Sequence, residues 1–152
     1  MKQLSLILIV LSSLSGFSQK ESKRLSQFNL ENNIAIQGYD PVGYFKLAKA
    51  IKGKKEINAT YEGVVYCFST IANKELFVKS PTKFEPQYGG WCAYAMGNAN
   101  EKVAINPETF KIVNGKLYLF YNAYFNNTLK SWNKEESVLM TKADANWIKI
   151  LK

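Results

Sequence analysis

The sequence predicts an α+β fold, a small single domain of antiparallel β-hairpins packed against short helices. Three observations carry that expectation. Asn114-Gly115 lies between two alternating apolar runs, the strongest short-range signal for a two-residue hairpin turn, and Glu62-Gly63 repeats the pattern upstream. Apolar residues recur at helical spacing towards the C-terminal end, as Tyr121, Phe125, Leu129 and Trp132 and then as Leu139, Ala143 and Trp147. The chain has 152 residues, 47% apolar and 14% aromatic, which supplies one real core, is too short for two, and argues against disorder.

Taken in order, residues 1–18 read as a secretory signal. Lys2 gives the positive start, residues 4–11 are apolar apart from Ser5, and Gly16 and Ser18 are the small residues before a cut between Ser18 and Gln19. The apolar run is short for a membrane span, and no cysteine near the cut would take a lipid. The expectation is an exported bacterial protein, periplasmic or extracellular, with no membrane association after cleavage. Residues 19–27 are polar and expected as a flexible lead-in to a domain over 28–152.

Gly38-Tyr39-Asp40-Pro41 marks a helix start, with Asp40 as N-cap and Pro41 at the first helical position. This helix carries Tyr44, Phe45, Leu47 and Ala48 and dissolves into a loop rich in lysine. Residues 59–68 form the first hairpin, with Val64, Tyr66 and Phe68 on one face and Val65 and Cys67 on the other. Ser69 or Thr70 caps a short helix that ends before Pro81, and an irregular aromatic stretch follows over residues 84–88. In the hairpin over residues 110–120, the Asn-Gly turn pairs Ile112 with Leu117 and Phe110 with Leu119 on one face, leaving Lys111 and Lys116 on the other. Two C-terminal helices, broken near Asn133, complete the chain.

Composition narrows the chemistry. There is no histidine, which excludes histidine acid/base work, Ser-His or Cys-His pairs and mixed Cys/His zinc sites. The formal charge is +8, but Arg24 is the sole arginine, and phosphate clamps and base readers favour arginine forks; no nucleic-acid partner is expected.

Sulfur is therefore the element to follow, and the chain has two cysteines, Cys67 and Cys92. Export permits a disulfide between them, closing a loop of about 25 residues and stabilising by roughly 3 kcal/mol. Cys92 stands in Gln87-Tyr88-Gly89-Gly90-Trp91-Cys92-Ala93-Tyr94-Ala95-Met96. The glycine pair permits a tight turn or a close approach of backbone to a ligand. A helix beginning at Gly90 or Trp91 would put Cys92 in its first turn, where dipole and N–H groups favour the thiolate. Met96 would follow one turn on, and thiolate plus thioether suit a soft ion such as Cu(I). Three readings stay open: a metal site from Cys92, Met96 and Cys67; a reactive thiol at Cys92; or cysteines that only pack or cross-link. Tyr88, Gly89, Gly90, Trp91 and Tyr94 are candidate pocket walls, joined by Asp40 if the N-terminal loop folds over the cysteine.

Several segments together carry a resemblance. Asn33 to Val42 with Tyr44-Phe45, Tyr61-Glu62-Gly63 through Tyr66-Cys67-Phe68-Ser69, and Ser80-Pro81 through Gly89-Gly90-Trp91-Cys92-Ala93 look like successive parts of the YHS domain. Asn106-Pro107, residues 114–119 and Ala143-Asp144-Ala145-Asn146-Trp147 continue it, so that residues 28–151 are covered. More narrowly, the chain is similar to exported bacterial proteins described as YHS domain-containing (seleno)proteins. Metal-associated YHS domains resemble treble-clef modules with cysteines just after Tyr-x-Phe; here Ser69-Thr70-Ile71-Ala72-Asn73 holds none, and that metal site is not carried over. Selenocysteine in the exported group aligns with Cys92, which implies thiol chemistry there. The expectation is a binding or redox-accessory module rather than a conventional enzyme, engaging a small molecule, a metal or a thiol partner. The alternatives are a thiol-dependent oxidoreductase using Cys92, or a ligand- or partner-binding domain with structural cysteines.

Overall fold

The computed structural model describes residues 19, 21 and 23–152, so the expected signal segment lies outside the described residues. Helix α1 covers residues 23–27. It is docked rather than loose: Arg24 pairs with Glu62 at 3.3 Å and Glu85 at 2.6 Å, and its guanidinium lies 4.3 Å over the Phe28 ring. The polar composition of the lead-in concealed this anchor, because one half-buried arginine with two carboxylates does not alter an average.

A four-stranded sheet has the order β1-β2-β4-β3, with β1 (Leu30–Glu31), β2 (Ile34–Ala35), β3 (Lys54–Tyr61) and β4 (Val64–Phe68). Only β2 and β4 run parallel, through Ile34 opposite Val65. The β3–β4 hairpin pairs Tyr61 with Val64 and Ala59 with Tyr66, and β3 begins earlier than its apolar pattern suggests. Val64, Tyr66 and Phe68 are all buried, as their alternation requires.

Between these strands, α2 (Pro41–Leu47) starts as expected: Asp40 accepts hydrogen bonds from the N–H groups of Val42 and Gly43, and Pro41 opens the helix. Ala48 falls just outside, as a left-handed C-cap. Thr70 caps α3 (Ile71–Lys79) through the Asn73 N–H, and a single turn, α4 (Pro81–Phe84), follows.

The second hairpin, β5 (Asn106–Val113) with β6 (Lys116–Phe120), has the expected register, Ile112 opposite Leu117 and Phe110 opposite Leu119. Both turn residues take positive φ, 51° at Asn114 and 71° at Gly115. The face that carries Lys111 and Lys116 is not simply solvent. Tyr118 and Phe120 on that side are buried against Trp132, with the Tyr118 and Trp132 rings 5.7 Å apart. Strand β6 thus divides two clusters. Leu117 and Leu119 join Val42, Tyr44, Tyr66, Phe68, Phe77 and Cys92, whereas Tyr118 and Phe120 join Tyr88, Met96, Trp132, Leu139 and Ala143.

The helix expected from Tyr121 to Trp132 is shorter. Residues from Asn122 form a small hairpin, β7 (Asn122–Ala123) with β8 (Asn126–Asn127), and α6 spans Thr128–Trp132. Asparagines competed with helix at this point: Asn127 accepts the Leu129 N–H as the N-cap, which fixes the true start. Helix α7 (Glu136–Leu151) buries Leu139 and Ala143 as its spacing predicts. No helix among the described residues is long and apolar enough to cross a membrane.

Candidate functional site

The segment from Gln87 to Met96 turns before it becomes helical. A short 3-10 turn covers Gln87–Gly90, in which Tyr88, Gly89 and Gly90 have φ of 56°, 60° and 83°. Trp91 is extended, and helix α5 spans Ala93–Ala99. Cys92 is therefore its N-cap rather than a first-turn residue, and its side chain makes no cap bond. Its N–H donates to the Val103 carbonyl at 2.9 Å, and its carbonyl accepts the Met96 N–H at 3.0 Å.

The Cys92 sulfur has its own two partners. The Tyr121 N–H donates to Sγ at 3.3 Å, and the Thr128 hydroxyl lies 3.4 Å away. Thr128 donates its proton to the Tyr121 carbonyl at 2.9 Å, so in the neutral state the thiol is the donor to Thr128 Oγ1. Loss of the thiol proton reverses one link. The Thr128 hydroxyl can rotate to donate to sulfur, and the Tyr121 carbonyl still accepts the Thr128 backbone N–H at 3.0 Å. The site can thus offer a thiolate two donors without orphaning a buried acceptor.

Cys92 forms part of the floor of a cavity of about 290 Å³, with Tyr94, Asn98, Glu101, Tyr121 and Thr128 in its walls. The residue is nonetheless 0% exposed to water, so a reagent reaches Sγ only when the wall opens. Asn126 of the β7–β8 hairpin also lines the cavity, and the tip residues of that hairpin, Tyr124 and Phe125, are fully solvated.

The other sulfurs have separate surroundings. Met96 is packed with Tyr88, Trp132, Leu139 and Ala143 in the second cluster, whereas Cys92 belongs to the first. Cys67 is buried in β4, and its thiol is pushed above the ordinary value by burial, with Lys52 and Lys55 acting in the opposite direction. Neither cysteine is in a disulfide. Among the described residues no cluster of three or more cysteine or carboxylate groups could hold a metal ion.

Asp40 does not line the Cys92 cavity. Its fully buried carboxylate accepts from Val42 and Gly43 through Oδ1, and from the Ser69 N–H, the Ser69 hydroxyl and Asn73 Nδ2 through Oδ2. It ties α2 to the end of β4 and to α3. The aromatic candidates also part company: Tyr94 lines the Cys92 cavity, while Tyr88 and Gly89 line a second one. Trp91 donates its indole N–H to the Gln27 carbonyl at 2.7 Å. Gly90 accepts the Asn29 side-chain amide at its carbonyl.

Sequence reasoning missed Tyr121, Val103 and Thr128, which hold Cys92. Only Asn127-Thr128, a capping pair inside an apolar periodic stretch, offered a local signal. Comparison with protein-family models, curated proteins and solved structures finds no match to this chain.

Proposed function

We propose that this chain is an exported YHS-type redox-accessory domain whose working group is the Cys92 thiol, reached by a small oxidant through the adjoining cavity. The observation that carries the reading is the donor pair at sulfur, the Tyr121 N–H and the Thr128 hydroxyl, which can hold a thiolate inside the protein. With a hydroperoxide, the thiolate sulfur attacks the distal oxygen, the O–O bond breaks, and the products are a sulfenic acid and an alcohol or water. Cys67 does not line the cavity, so an external small thiol resolves the sulfenic acid, forming a mixed disulfide and water; a second thiol then releases Cys92. The metal half of the sequence expectation receives less support, since Cys92, Met96 and Cys67 sit in three different packing environments.

The test is treatment of the reduced protein with hydrogen peroxide in the presence of a sulfenic-acid trap, followed by peptide mass spectrometry. The expected result is one adduct, on Cys92, reversed by small thiols when the trap is omitted and absent in Cys92→Ser. Adducts confined to Cys67, or none before the protein unfolds, would sink the proposal.

A further inference from the structure

The cavity beside Cys92 is far larger than the simplest peroxide needs. Its volume of about 290 Å³ equals the share of roughly ten water molecules in the liquid, whereas hydrogen peroxide is little bigger than a single water. Its depth and its rim differ in chemistry. Around Cys92 the wall is Tyr94, Ala95, Val103 and Tyr121, all half-buried and packed on the cluster that holds Leu117, Leu119 and Cys92. The rim is Asn98, Glu101 and Asn126, all exposed. An apolar base under a few polar groups is the usual build of a site for a small molecule with an apolar body.

Charge is just as uneven. Glu101 alone among the lining residues is charged, and among the described residues no lysine or arginine pairs with it. Lys102, the next residue, is engaged elsewhere: its ammonium donates to Gln27 Oε1 and lies 6.0 Å from the Trp91 ring centroid. The chain's formal +8 is spread over the whole surface and is screened beyond about 8 Å at physiological salt, so the charge in the wall itself is negative.

We propose that the oxidant of Cys92 is a neutral organic hydroperoxide with an apolar tail, and that Glu101 turns anionic hydroperoxides away. The O–O–H end of such a molecule is as slim as hydrogen peroxide and needs no wider opening to reach Sγ, while the tail stays in the apolar part of the cavity and adds binding. The thiolate sulfur bonds to the terminal oxygen, the O–O bond breaks, and the departing alkoxide takes a proton from water, giving a sulfenic acid and an alcohol. A substituent at the far end of the tail then faces the rim, where Glu101 stands. This selection rests on the redox reading of Cys92.

The test is the rate of Cys92 oxidation in a Cys67→Ser background by hydrogen peroxide, cumene hydroperoxide and the 4-carboxylate of the latter, beside the same reactions of N-acetylcysteine. The rate with cumene hydroperoxide, relative to hydrogen peroxide, should exceed that ratio for N-acetylcysteine about tenfold or more. At low ionic strength the 4-carboxylate should react about tenfold more slowly than cumene hydroperoxide, and Glu101→Gln should recover most of that loss. Ala99→Trp, at an exposed position on the cavity wall, should slow cumene hydroperoxide about tenfold and leave hydrogen peroxide within about twofold. A ratio equal to that of N-acetylcysteine, or a 4-carboxylate rate untouched by Glu101→Gln, overturns the proposal and leaves the redox reading standing. No oxidation of Cys92 by either neutral peroxide overturns both. Should Ala99→Trp fail to fold, the product alcohol 2-phenyl-2-propanol decides in the parent: it must slow alkylation of Cys92, and no slowing at millimolar concentration overturns the proposal.

Discussion

The Cys92 sulfur lies 3.4 Å from the Thr128 hydroxyl, whose own proton is given to the Tyr121 carbonyl rather than to sulfur. The hydroxyl can therefore donate to the sulfur only after one side-chain rotation. A hydrogen bond to a charged group is worth about 1.5–3 kcal/mol. Thr128→Val should accordingly slow alkylation of Cys92 at fixed pH on the order of ten- to a hundredfold, in a Cys67→Ser background. Thr128→Ser, which keeps the hydroxyl, should restore most of the rate. Equal rates for Val and Thr would show that the hydroxyl does not serve the thiolate, and cavity access alone would then govern reactivity.

Asp40 was legible as a cap but not as a hub. Its Oδ2 is taken by Ser69 and Asn73, more than twenty residues away in sequence, with distances of 2.6–2.8 Å. Each buried donor left without an acceptor costs about 1–3 kcal/mol. Asp40→Ala should lower the unfolding free energy by about 3–6 kcal/mol in urea titration, well beyond an ordinary cap loss of about 1 kcal/mol. A loss of only that smaller size would mean that water replaces the carboxylate.

What the sequence disclosed, and what it hid, divides along the range of the interactions. Asp40-Pro41, Thr70 and Asn114-Gly115 act on backbone a few residues away, so their chemistry is written locally and the structure follows it. Cys92 could be singled out by residue type, but its partners could not. Val103 comes from the loop after α5, and Tyr121 and Thr128 from beyond the β5–β6 hairpin, so the three meet at Cys92 only through the tertiary fold. The two faces of β6 were equally hidden, since Tyr118 and Phe120 become core only when Trp132 arrives from α6. The stretch from Tyr121 misled for a different reason. Its aromatic spacing fits a helix, yet Tyr124 and Phe125 occupy a hairpin tip where asparagine and glycine are the usual residues.

That tip yields a prediction about stability. Tyr124 and Phe125 have φ of 50° and 63°, and both side chains are solvent-exposed. Positive φ at a residue with a Cβ costs about 1–2 kcal/mol, and no packing compensates at these positions. Replacing the pair by Asn-Gly (Tyr124→Asn with Phe125→Gly) should raise the thermal midpoint, with a gain of about 1–2 kcal/mol at that temperature. A lower midpoint would show that the two rings hold the hairpin against the wall of the Cys92 cavity.

Alkaline pH should unfold the protein through its buried phenols. Tyr44, Tyr66 and Tyr88 are all fully or almost fully buried, and desolvation pushes each well above the ordinary tyrosine value of 10.0. For Tyr66 the neighbouring Glu85 adds to the shift, and for Tyr88 the bond to Asp144 does so. A raised folded-state value means that the native protein retains protons which the unfolded chain has released. Stability is therefore intact below pH 10 and falls as pH rises above it towards the raised values, by about 1.4 kcal/mol per pH unit for each such group. Three groups acting together give a slope of about 4 kcal/mol per unit, steep enough to unfold a domain of ordinary stability within two or three pH units. Tyrosinate absorbance and far-ultraviolet circular dichroism, followed together in an alkaline titration, should show these phenols ionising in the same step as the loss of secondary structure. Ionisation of all nine tyrosines as one population near pH 10, with the fold intact, would rule out the buried positions on which the packing of both clusters depends.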